Sequence, residues 1–316
     1  MTLRRWIGIA WLALGSVSAA VPAAAAELDY GLEPRRIADD TWVLIGRTED
    51  FTRGNGGNIV NTAFIVTSAG VVVIDSGPSR RYGEQMLRAI ARVSDKPVVR
   101  VFNTHHHPDH FLGNQAFVGI PTAALASTIA GRKEEGGAFA DNVYRLSGDW
   151  IKGTEPLPAS EALKPGVQSY GEHELEMISL SGHTAGDLVI LDRRTGVLFA
   201  GDLVFYQRAP TTPHASVAQW LSALDRLAAV PFRVLLPGHG EPVADGRAIE
   251  QTRRYLRWLD ETLRLAAERG EEMSELMGQS LPVEFAAIPL AREEFLRSVA
   301  HLYRRLESTT LKRSPR

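Results

Sequence analysis

The segment NTHHHPDHFLGN, which begins at residue 103, places four of the chain's nine histidines and one aspartate within six consecutive positions. Where a strand ends in a tight loop, alternate side chains point the same way, so His105 and His107 can converge on one point. After the bend that Pro108 imposes, where no helix is expected, Asp109 and His110 can offer a carboxylate and an imidazole to a neighbouring point. These residue types at this spacing predict a metal centre.

Three further residues are candidates to complete such a centre. Each lies beside glycine at the end of a strand-like run: His183 in LSGHTAGD, Asp202 in LFAGDLVF and His239 in LLPGHGEPV. Because strand ends in open α/β sheets gather at one edge, we expect all three to reach the histidine cluster. Five imidazoles and two carboxylates exceed the four ligands of one tetrahedral ion and fit two ions about 3.5–4 Å apart. Imidazoles with few carboxylates favour zinc, with iron or manganese as alternatives.

The composition of the chain limits its chemistry and its partners. With no cysteine among 316 residues, disulfides and thiolate metal ligands are excluded, so any metal must be held by nitrogen and oxygen. The net charge is −2, and acidic and basic residues are mixed along the chain. No nucleic-acid partner is therefore expected, since such a partner requires a basic face.

The first 26 residues have the pattern of a cleavable export signal. Arg4 and Arg5 precede a short apolar run, and Ala24 and Ala26 fit a cleavage site that would leave Glu27 as the first residue. The apolar run is short for a membrane span, and no later segment reaches that length. We therefore expect a periplasmic protein with no membrane span after signal cleavage.

Hydrophobic patterning predicts the elements that must position the candidate ligands. Extended segments are predicted at 41–47, 61–77, 98–102, 174–179, 187–191, 197–200 and 233–236, and helices at 79–94 and 216–228. Strands that alternate with helices indicate an α/β domain over residues 27–245. Residues 246–316 carry a long amphipathic helix that ends at Gly270 and a second helix over 291–307, predicted to form a C-terminal helical appendage packed on that domain.

The histidine cluster and the three later candidates together resemble the full ligand pattern of the metallo-β-lactamase superfamily. The likeness covers roughly residues 37–245 and includes the VIDSG turn at Asp75–Gly77. It implies a four-layer αβ/βα sandwich with the metals on one edge. It assigns His105, His107 and His183 to a first metal, Asp109, His110 and His239 to a second, and Asp202 to both. It also implies that Asp109 orients the attacking water and that Asp75 fixes the metal-binding loop through hydrogen bonds.

The resemblance implies a di-zinc metallohydrolase that uses a metal-bridging hydroxide on a small-molecule carbonyl substrate: an ester, thioester, lactone or amide. The ligand set is most similar to that of hydroxyacylglutathione hydrolase (glyoxalase II) and its relatives, because the largest subclass of true metallo-β-lactamases has cysteine at the position of Asp202. Stretches such as AGDLVFYQRAPTTP resemble the exported quinoprotein relay system zinc metallohydrolase, or SoxH-like, group. That likeness suggests a link to a periplasmic quinoprotein dehydrogenase system.

Three other functions fit the same ligands. A metallo-β-lactamase that hydrolyses β-lactam antibiotics is consistent with export, since those drugs act in the periplasm. A mononuclear-iron persulfide dioxygenase-type enzyme would use two histidines and an aspartate of this set. A metal-binding accessory protein of a periplasmic redox system would bind metal without hydrolysing anything.

The remaining polar candidates are interpreted from their position alone. His106 is predicted to pack or hydrogen-bond behind the loop, His173 to be a solvated turn residue and His301 to be structural. His214 follows Asp202 by twelve residues and is a candidate for the mouth of the site. Candidates for substrate contact are Asn55, Tyr206 and Arg208.

Overall fold

Two mixed β-sheets face each other in the computed structural model of the chain, which describes residues 28–307. The predicted signal peptide, residues 1–26, lies outside the described residues. The first sheet follows the order of the chain: β1 (Arg35–Ala38), β2 (Thr41–Leu44), β3 (Thr62–Thr67), β4 (Gly70–Ile74), β5 (Val98–Phe102), β6 (Thr122–Leu125) and β7 (Glu161–Leu163). The second sheet has the order β12-β11-β10-β9-β8, with β8 (Gly166–Tyr170), β9 (His173–Leu180), β10 (Asp187–Asp192), β11 (Val197–Phe205) and β12 (Val234–His239).

Helices accompany the sheets along the described part of the chain. They are α1 (Arg80–Ala91), α2 (Pro108–Phe111), α3 (Ala126–Ser147), α4 (Val217–Ala228), α5 (Arg247–Arg269), α6 (Met273–Gly278), α7 (Val283–Ala286) and α8 (Ala291–Ser298). Short 3₁₀ segments cover Leu112–Phe117 and Gly148–Trp150. None of the helices within residues 28–307 is long and apolar enough to cross a membrane.

Helices cover the outer face of each sheet, and a buried apolar core fills the space between the sheets. Tyr82 and Met86 of α1 pack with Phe64 of the first sheet, and Trp220 of α4 packs with Val204 of the second. The core between the sheets includes Val43, Ile65, Ile74, Phe102, Leu188, Ile190, Phe199 and Leu236. The order helix, sheet, sheet, helix confirms the predicted four-layer αβ/βα sandwich.

The C-terminal helices form a cluster of their own that joins the sandwich. Tyr255 of α5 packs in one buried apolar cluster with Phe295 of α8 and with Ala209, which follows β11. Gly270 ends α5 in the left-handed conformation, with φ of 68°, as predicted. The second predicted helix, over 291–307, is confirmed: α8 continues into a π-helical turn at Val299–Tyr303 and then into α-helix over 304–307. The C-terminal helical appendage is therefore confirmed, whereas the boundary at residue 245 stays a prediction.

Candidate metal centre

The loop that carries the histidine cluster connects β5 to α2. His105 and His107 lie on the connection, and Asp109 and His110 lie on α2 itself. Pro108 occupies the first position of this helix, where its missing N–H leaves no hydrogen bond unmade. The expectation that Pro108 excludes a helix here is therefore wrong. The helical turn places Asp109 and His110 in a second ligand group rather than in the first.

The first ligand group contains three imidazoles and one carboxylate. His107 Nδ1 is 3.1 Å from His105 Nε2 and 2.8 Å from His183 Nε2. Asp202 Oδ2 lies 3.3 Å from His183 Nε2 and 3.7 Å from His105 Nε2. All four side chains are buried, and their ligand atoms lie within 4.8 Å of one another. These are the residues predicted to hold the first metal and the residue predicted to bridge.

The second ligand group lies on the other side of Asp202. Asp109 Oδ2 is 3.4 Å from His239 Nε2 and 3.7 Å from His110 Nε2. Asp202 Oδ1 is 3.2 Å from His110 Nε2, and Asp202 Oδ2 is 3.3 Å from His239 Nε2. The structure therefore brings all seven predicted ligands together, with Asp202 in contact with both groups.

A bulge in β11 aims Asp202 at the centre. The predicted strand stopped at residue 200, but β11 continues to Phe205, so Asp202 lies within the strand rather than after it. The pairing of β11 with β12 shifts register at Gly201, which has a φ of 52°. A Cβ atom on Gly238 of β12 would lie 1.9 Å from Asp202 Oδ1. Only glycine at position 238 therefore leaves room for the carboxylate.

Asp75 fixes both the loop and one ligand ring. Its Oδ1 accepts a hydrogen bond from Thr104 N at 2.8 Å, and its Oδ2 accepts from Thr104 Oγ1 at 2.8 Å and from His110 Nδ1 at 2.8 Å. Thr104 Oγ1 is also 3.0 Å from His105 Nδ1, where it can accept that ring's proton. With their protons held at Nδ1, both rings present Nε2 lone pairs to the centre. This is the role predicted for Asp75.

The donor set fits divalent cations. His239 Nδ1 donates to the carbonyl of Ile59 at 2.7 Å, so its Nε2 also faces the centre with a lone pair. His110 Nε2 and Asp202 Oδ1 are buried and lie 3.2 Å apart, but neither makes a well-aligned hydrogen bond. A buried polar atom without a partner costs about 1–3 kcal/mol, a penalty that a bound cation offsets. Imidazole nitrogens with carboxylate oxygens are ligands that zinc accepts.

Burial sets the charge of the imidazoles. It lowers the pKa of His105 and His107 well below the usual value and that of His183 to about 3, so the three imidazoles of the first group are uncharged at neutral pH. Burial acts in the same direction on His110, but Asp202 and neighbouring carboxylates outweigh it and raise the pKa of this ring well above its usual value. The raised pKa means that the His110 ring holds a second proton at neutral pH. A cation in the second group would take the place of that proton.

Helix α3 supports the loop from behind and was not predicted. Arg132 is buried, and its guanidinium donates to the carbonyl of His105 at 2.6 Å and to Asn103 Oδ1 at 2.8 Å. Burial lowers the pKa of Arg132 to about 9, which leaves it charged at neutral pH. Glycines at positions 131, 136 and 137 weaken the helical signal of this segment, so sequence patterns alone pointed to neither α3 nor Arg132.

A cavity of about 340 Å³ opens onto the centre. Its lining includes the ligands His107, Asp109, Asp202 and His239 together with Phe51, Phe139, Leu146, Arg208, His214, Arg297 and His301. The predicted position of His214 at the mouth of the site is therefore confirmed, and Arg208 is placed where it can contact a substrate. Tyr206 is not among the residues that line this cavity.

Two of the remaining interpretations were wrong. Asn55 does not face the cavity; its Oδ1 accepts from the backbone N–H groups of Thr52 and Gly57 and holds the glycine-rich loop together. His173 is fully buried rather than solvated, and its Nδ1 is 2.9 Å from Asp192 Oδ2. His106 is placed behind the loop as expected.

The metallo-β-lactamase superfamily domain matches residues 55–239, which contain all seven candidate ligands. The chain belongs to the metallo-β-lactamase superfamily. Members of this superfamily bind divalent metals, usually zinc, and typically act on small molecules.

Relatives in the superfamily act on different substrates. Metallo-β-lactamase IND-1 of Chryseobacterium indologenes is 28% identical over 62% of this chain and 77% of that protein. A linear primary-alkylsulfatase of a Pseudomonas species is 23% identical over 75% of the chain, which spans 53% of that relative. The solved metallo-β-lactamase from Pontibacter korlensis is 25% identical, with a TM-score of 0.56 over 72% of this chain and 99% of that one. Other matches are an acyl-coenzyme A thioesterase and several hydroxyacylglutathione hydrolases. The chain is thus an enzyme of a superfamily whose matched members are hydrolases.

Proposed function

We propose that the chain is a periplasmic di-zinc hydrolase that cleaves a carbonyl ester, thioester, lactone or amide. The position of Asp202 carries the proposal: its carboxylate lies 3.3 Å from His183 Nε2 in the first group and 3.2–3.3 Å from the imidazoles of the second. Two ligand groups that share one carboxylate fit two ions about 3.5–4 Å apart. Zinc is proposed over iron or manganese because five of the seven ligands are imidazoles.

Bound zinc would supply a hydroxide at neutral pH and would polarise the substrate carbonyl. The protein's own residues determine where these events occur. Asp109 lines the cavity beside His239, so its carboxylate is placed to accept a hydrogen bond from the attacking water and to hold the proton that the water loses. Asp75 and the carbonyl of Ile59 keep His110 and His239 in the orientation that presents Nε2 to the centre.

The cavity suits a small substrate with an apolar part. Phe51, Phe139 and Leu146 form an apolar part of its lining, and Arg208 and Arg297 lie on the polar part. A volume of about 340 Å³ is in the range of small-molecule sites. The similarity to a thioesterase and to hydroxyacylglutathione hydrolases supports an acyl ester or thioester as the substrate class.

Metal analysis and a hydrolysis screen on the same sample test this proposal. The chain from Glu27 onward should contain about two equivalents of zinc and should hydrolyse at least one member of a panel of aryl esters, acyl thioesters, lactones and amides. Asp202→Asn should lose both the bound zinc and the hydrolytic activity. Asp39→Asn should keep both, because Asp39 is exposed and lies far along the chain from the ligands. Less than one equivalent of metal in the unaltered chain would overturn the proposal. One equivalent of iron with oxygen uptake on glutathione persulfide would point to the persulfide dioxygenase-type alternative.

Hydrolysis of β-lactams is a second candidate, favoured by the similarity to IND-1. Asp202 argues for other substrates, since the resemblance places cysteine there in the largest lactamase subclass. Turnover of nitrocefin by the zinc-loaded chain would establish this activity, and no turnover by a sample that contains two zincs would exclude it.

Export and a role beside a quinoprotein dehydrogenase complete the proposal. The N-terminal pattern supports export, and the resemblance to the quinoprotein relay group supports both. Cell fractionation followed by N-terminal sequencing should find a periplasmic protein that begins at Glu27. A cytoplasmic protein that keeps its first 26 residues would contradict the export proposal.

A further inference from the structure

One imidazole of the first ligand group is held by another imidazole. His107 presents Nδ1 to the centre, and its Nε2 is 2.8 Å from His214 Nδ1. His214 comes from the connection between β11 and α4, and its Nε2 is 3.3 Å from Glu135 Oε2 on α3. The same carboxylate oxygen lies 3.2 Å from His106 Nε2. Glu135 is thus the last member of a chain of contacts that begins at the metal centre.

Metal coordination determines the direction of every hydrogen bond in this chain of contacts. When His107 Nδ1 binds a cation, the ring proton lies on Nε2 and is donated to His214 Nδ1. His214 then carries its own proton on Nε2, which faces the carboxylate of Glu135. Each proton has an acceptor in this arrangement, and His106 donates to the same carboxylate. No other pair of neutral tautomers satisfies both rings.

Two of the other ligand rings have firmer partners. His110 donates to a buried carboxylate, and His239 donates to a backbone carbonyl. A histidine ring is not fixed by the backbone, and the His214 side chain is 32% exposed at the cavity mouth. His214 therefore needs its own anchor before it can orient His107, and Glu135 supplies that anchor.

We propose that His214 and Glu135 are positioning residues that hold the His107 ring in its coordinating orientation and raise the metal affinity of the first ligand group. This inference rests on the proposed metal-binding function. Partners of this kind are worth about 10- to 100-fold in metal affinity. Within residues 28–307, His214 makes no hydrogen bond to a residue of the second ligand group. The metal affinity of the second group should therefore not depend on His214 or Glu135.

Zinc titration in two single-site backgrounds tests the inference. His239→Ala leaves the first group complete, and His183→Ala leaves the second complete. Adding His214→Ala should weaken zinc binding about 10- to 100-fold in the first background and by less than about twofold in the second, measured by competition with a chromophoric chelator. An equal loss in both backgrounds would indicate general destabilisation and would overturn the inference, as would no loss in the first.

Conservative variants distinguish the loss of a hydrogen bond that orients the His107 ring from the loss of side-chain volume. His214→Asn can still accept from His107 through its amide oxygen but is too short to reach Glu135, so it should recover part of the affinity that His214→Ala loses. Glu135→Gln keeps an acceptor oxygen and should bind zinc more tightly than Glu135→Ala, and Glu134→Ala, at the exposed neighbouring position, should match the unaltered chain. Equal affinities for Glu135→Ala and Glu134→Ala would contradict the role of Glu135.

Two further outcomes are distinguishable. If the unaltered chain binds no zinc, the proposed function fails before any variant is compared. If it binds three equivalents and His106→Ala removes one, then His106, His214 and Glu135 hold an ion of their own, and the positioning role is wrong.

Discussion

Asp75→Asn should weaken zinc binding at the second ligand group, although the substitution changes the shape of only one buried side chain and does so very little. Asp75 accepts three hydrogen bonds, each 2.8 Å long: two from Thr104 and one from His110 Nδ1. An amide in this place has only one acceptor oxygen. If that oxygen continues to accept from Thr104 N, the amide NH₂ group faces His110 Nδ1 and donates to it. The proton of the His110 ring then lies on Nε2, the atom that must bind the metal.

The alternative orientation of the substituted amide is no better. It would retain the bond from His110 but would place the amide NH₂ group against the backbone N–H of Thr104, so that two buried donors face each other. An unmet buried hydrogen bond costs about 1–3 kcal/mol. Zinc binding to the second group requires this second orientation, because only it leaves the lone pair of His110 Nε2 free. Binding must therefore absorb the cost of leaving the first orientation, which corresponds to roughly a 5- to 150-fold loss of affinity. The change at the first group should be smaller, because Thr104 Oγ1 can still accept from His105 Nδ1.

Zinc titration in the His183→Ala background, which leaves only the second group complete, measures this loss directly. The matched control is Asp39→Asn, since Asp39 is exposed and its carboxylate contacts Arg36 rather than a ligand. An Asp75→Asn affinity within twofold of the control would refute the tautomer argument. A greater loss in the His239→Ala background than in the His183→Ala background would also refute it, because the damage would then lie at the first group.

Three other predictions follow from the supporting residues. Gly238→Ala should abolish binding of both zincs, because its Cβ atom would lie 1.9 Å from Asp202 Oδ1. Gly246→Ala should keep both zincs, because a Cβ atom at position 246 would have no neighbouring atom within 4 Å. Normal zinc content in Gly238→Ala would contradict this prediction. Arg132→Met should lower the free energy of unfolding by about 2–4 kcal/mol in denaturant titrations, because two buried acceptors lose a charged donor, while Lys133→Met at the exposed neighbouring position should change it little. Burial lowers the pKa of His106 to about 4, so this ring stays neutral in the folded state but takes up a proton near pH 6.5 when unfolded; stability is therefore lost as the pH falls below about 6.5. The metal-free chain should lose about 2 kcal/mol more stability between pH 7 and pH 5 than His106→Phe does, and equal losses in urea titrations would show that His106 does not contribute.

Sequence patterns were sufficient to predict a residue's role where that role depends on the residue's immediate neighbours in the chain. The seven candidate ligands come from short segments whose residue types are unusual for any other purpose, such as His105 to His110. The continuous apolar run of β4 predicts a strand buried on both faces, and it is fully buried. Gly270 has the left-handed conformation that its position after an amphipathic helix suggests.

Patterns were insufficient where a role depends on a distant segment. His173 stands among charged residues and looked exposed, but folding places it against Asp192, nineteen residues away, in the interior. Asn55 looked available to a substrate, but its own loop uses its side chain. Asp202 looked like a residue after a strand, and only pairing with β12 shows that it lies on a bulge within one.

The sequence by itself determined which atoms can bind metal and in what order they come along the chain, because these follow from residue chemistry and spacing. The fold family came from the resemblance of that ligand pattern to the metallo-β-lactamase superfamily. The tertiary structure alone decided what surrounds those atoms. Helix α3 shows why: its three glycines give it little helical preference, and it is stabilised by packing, with Val143 buried against Phe111 and Ile151. Arg132 and Glu135 reach the loop only because that packing brings α3 behind it, and no local pattern records a contact between segments some 30 residues apart.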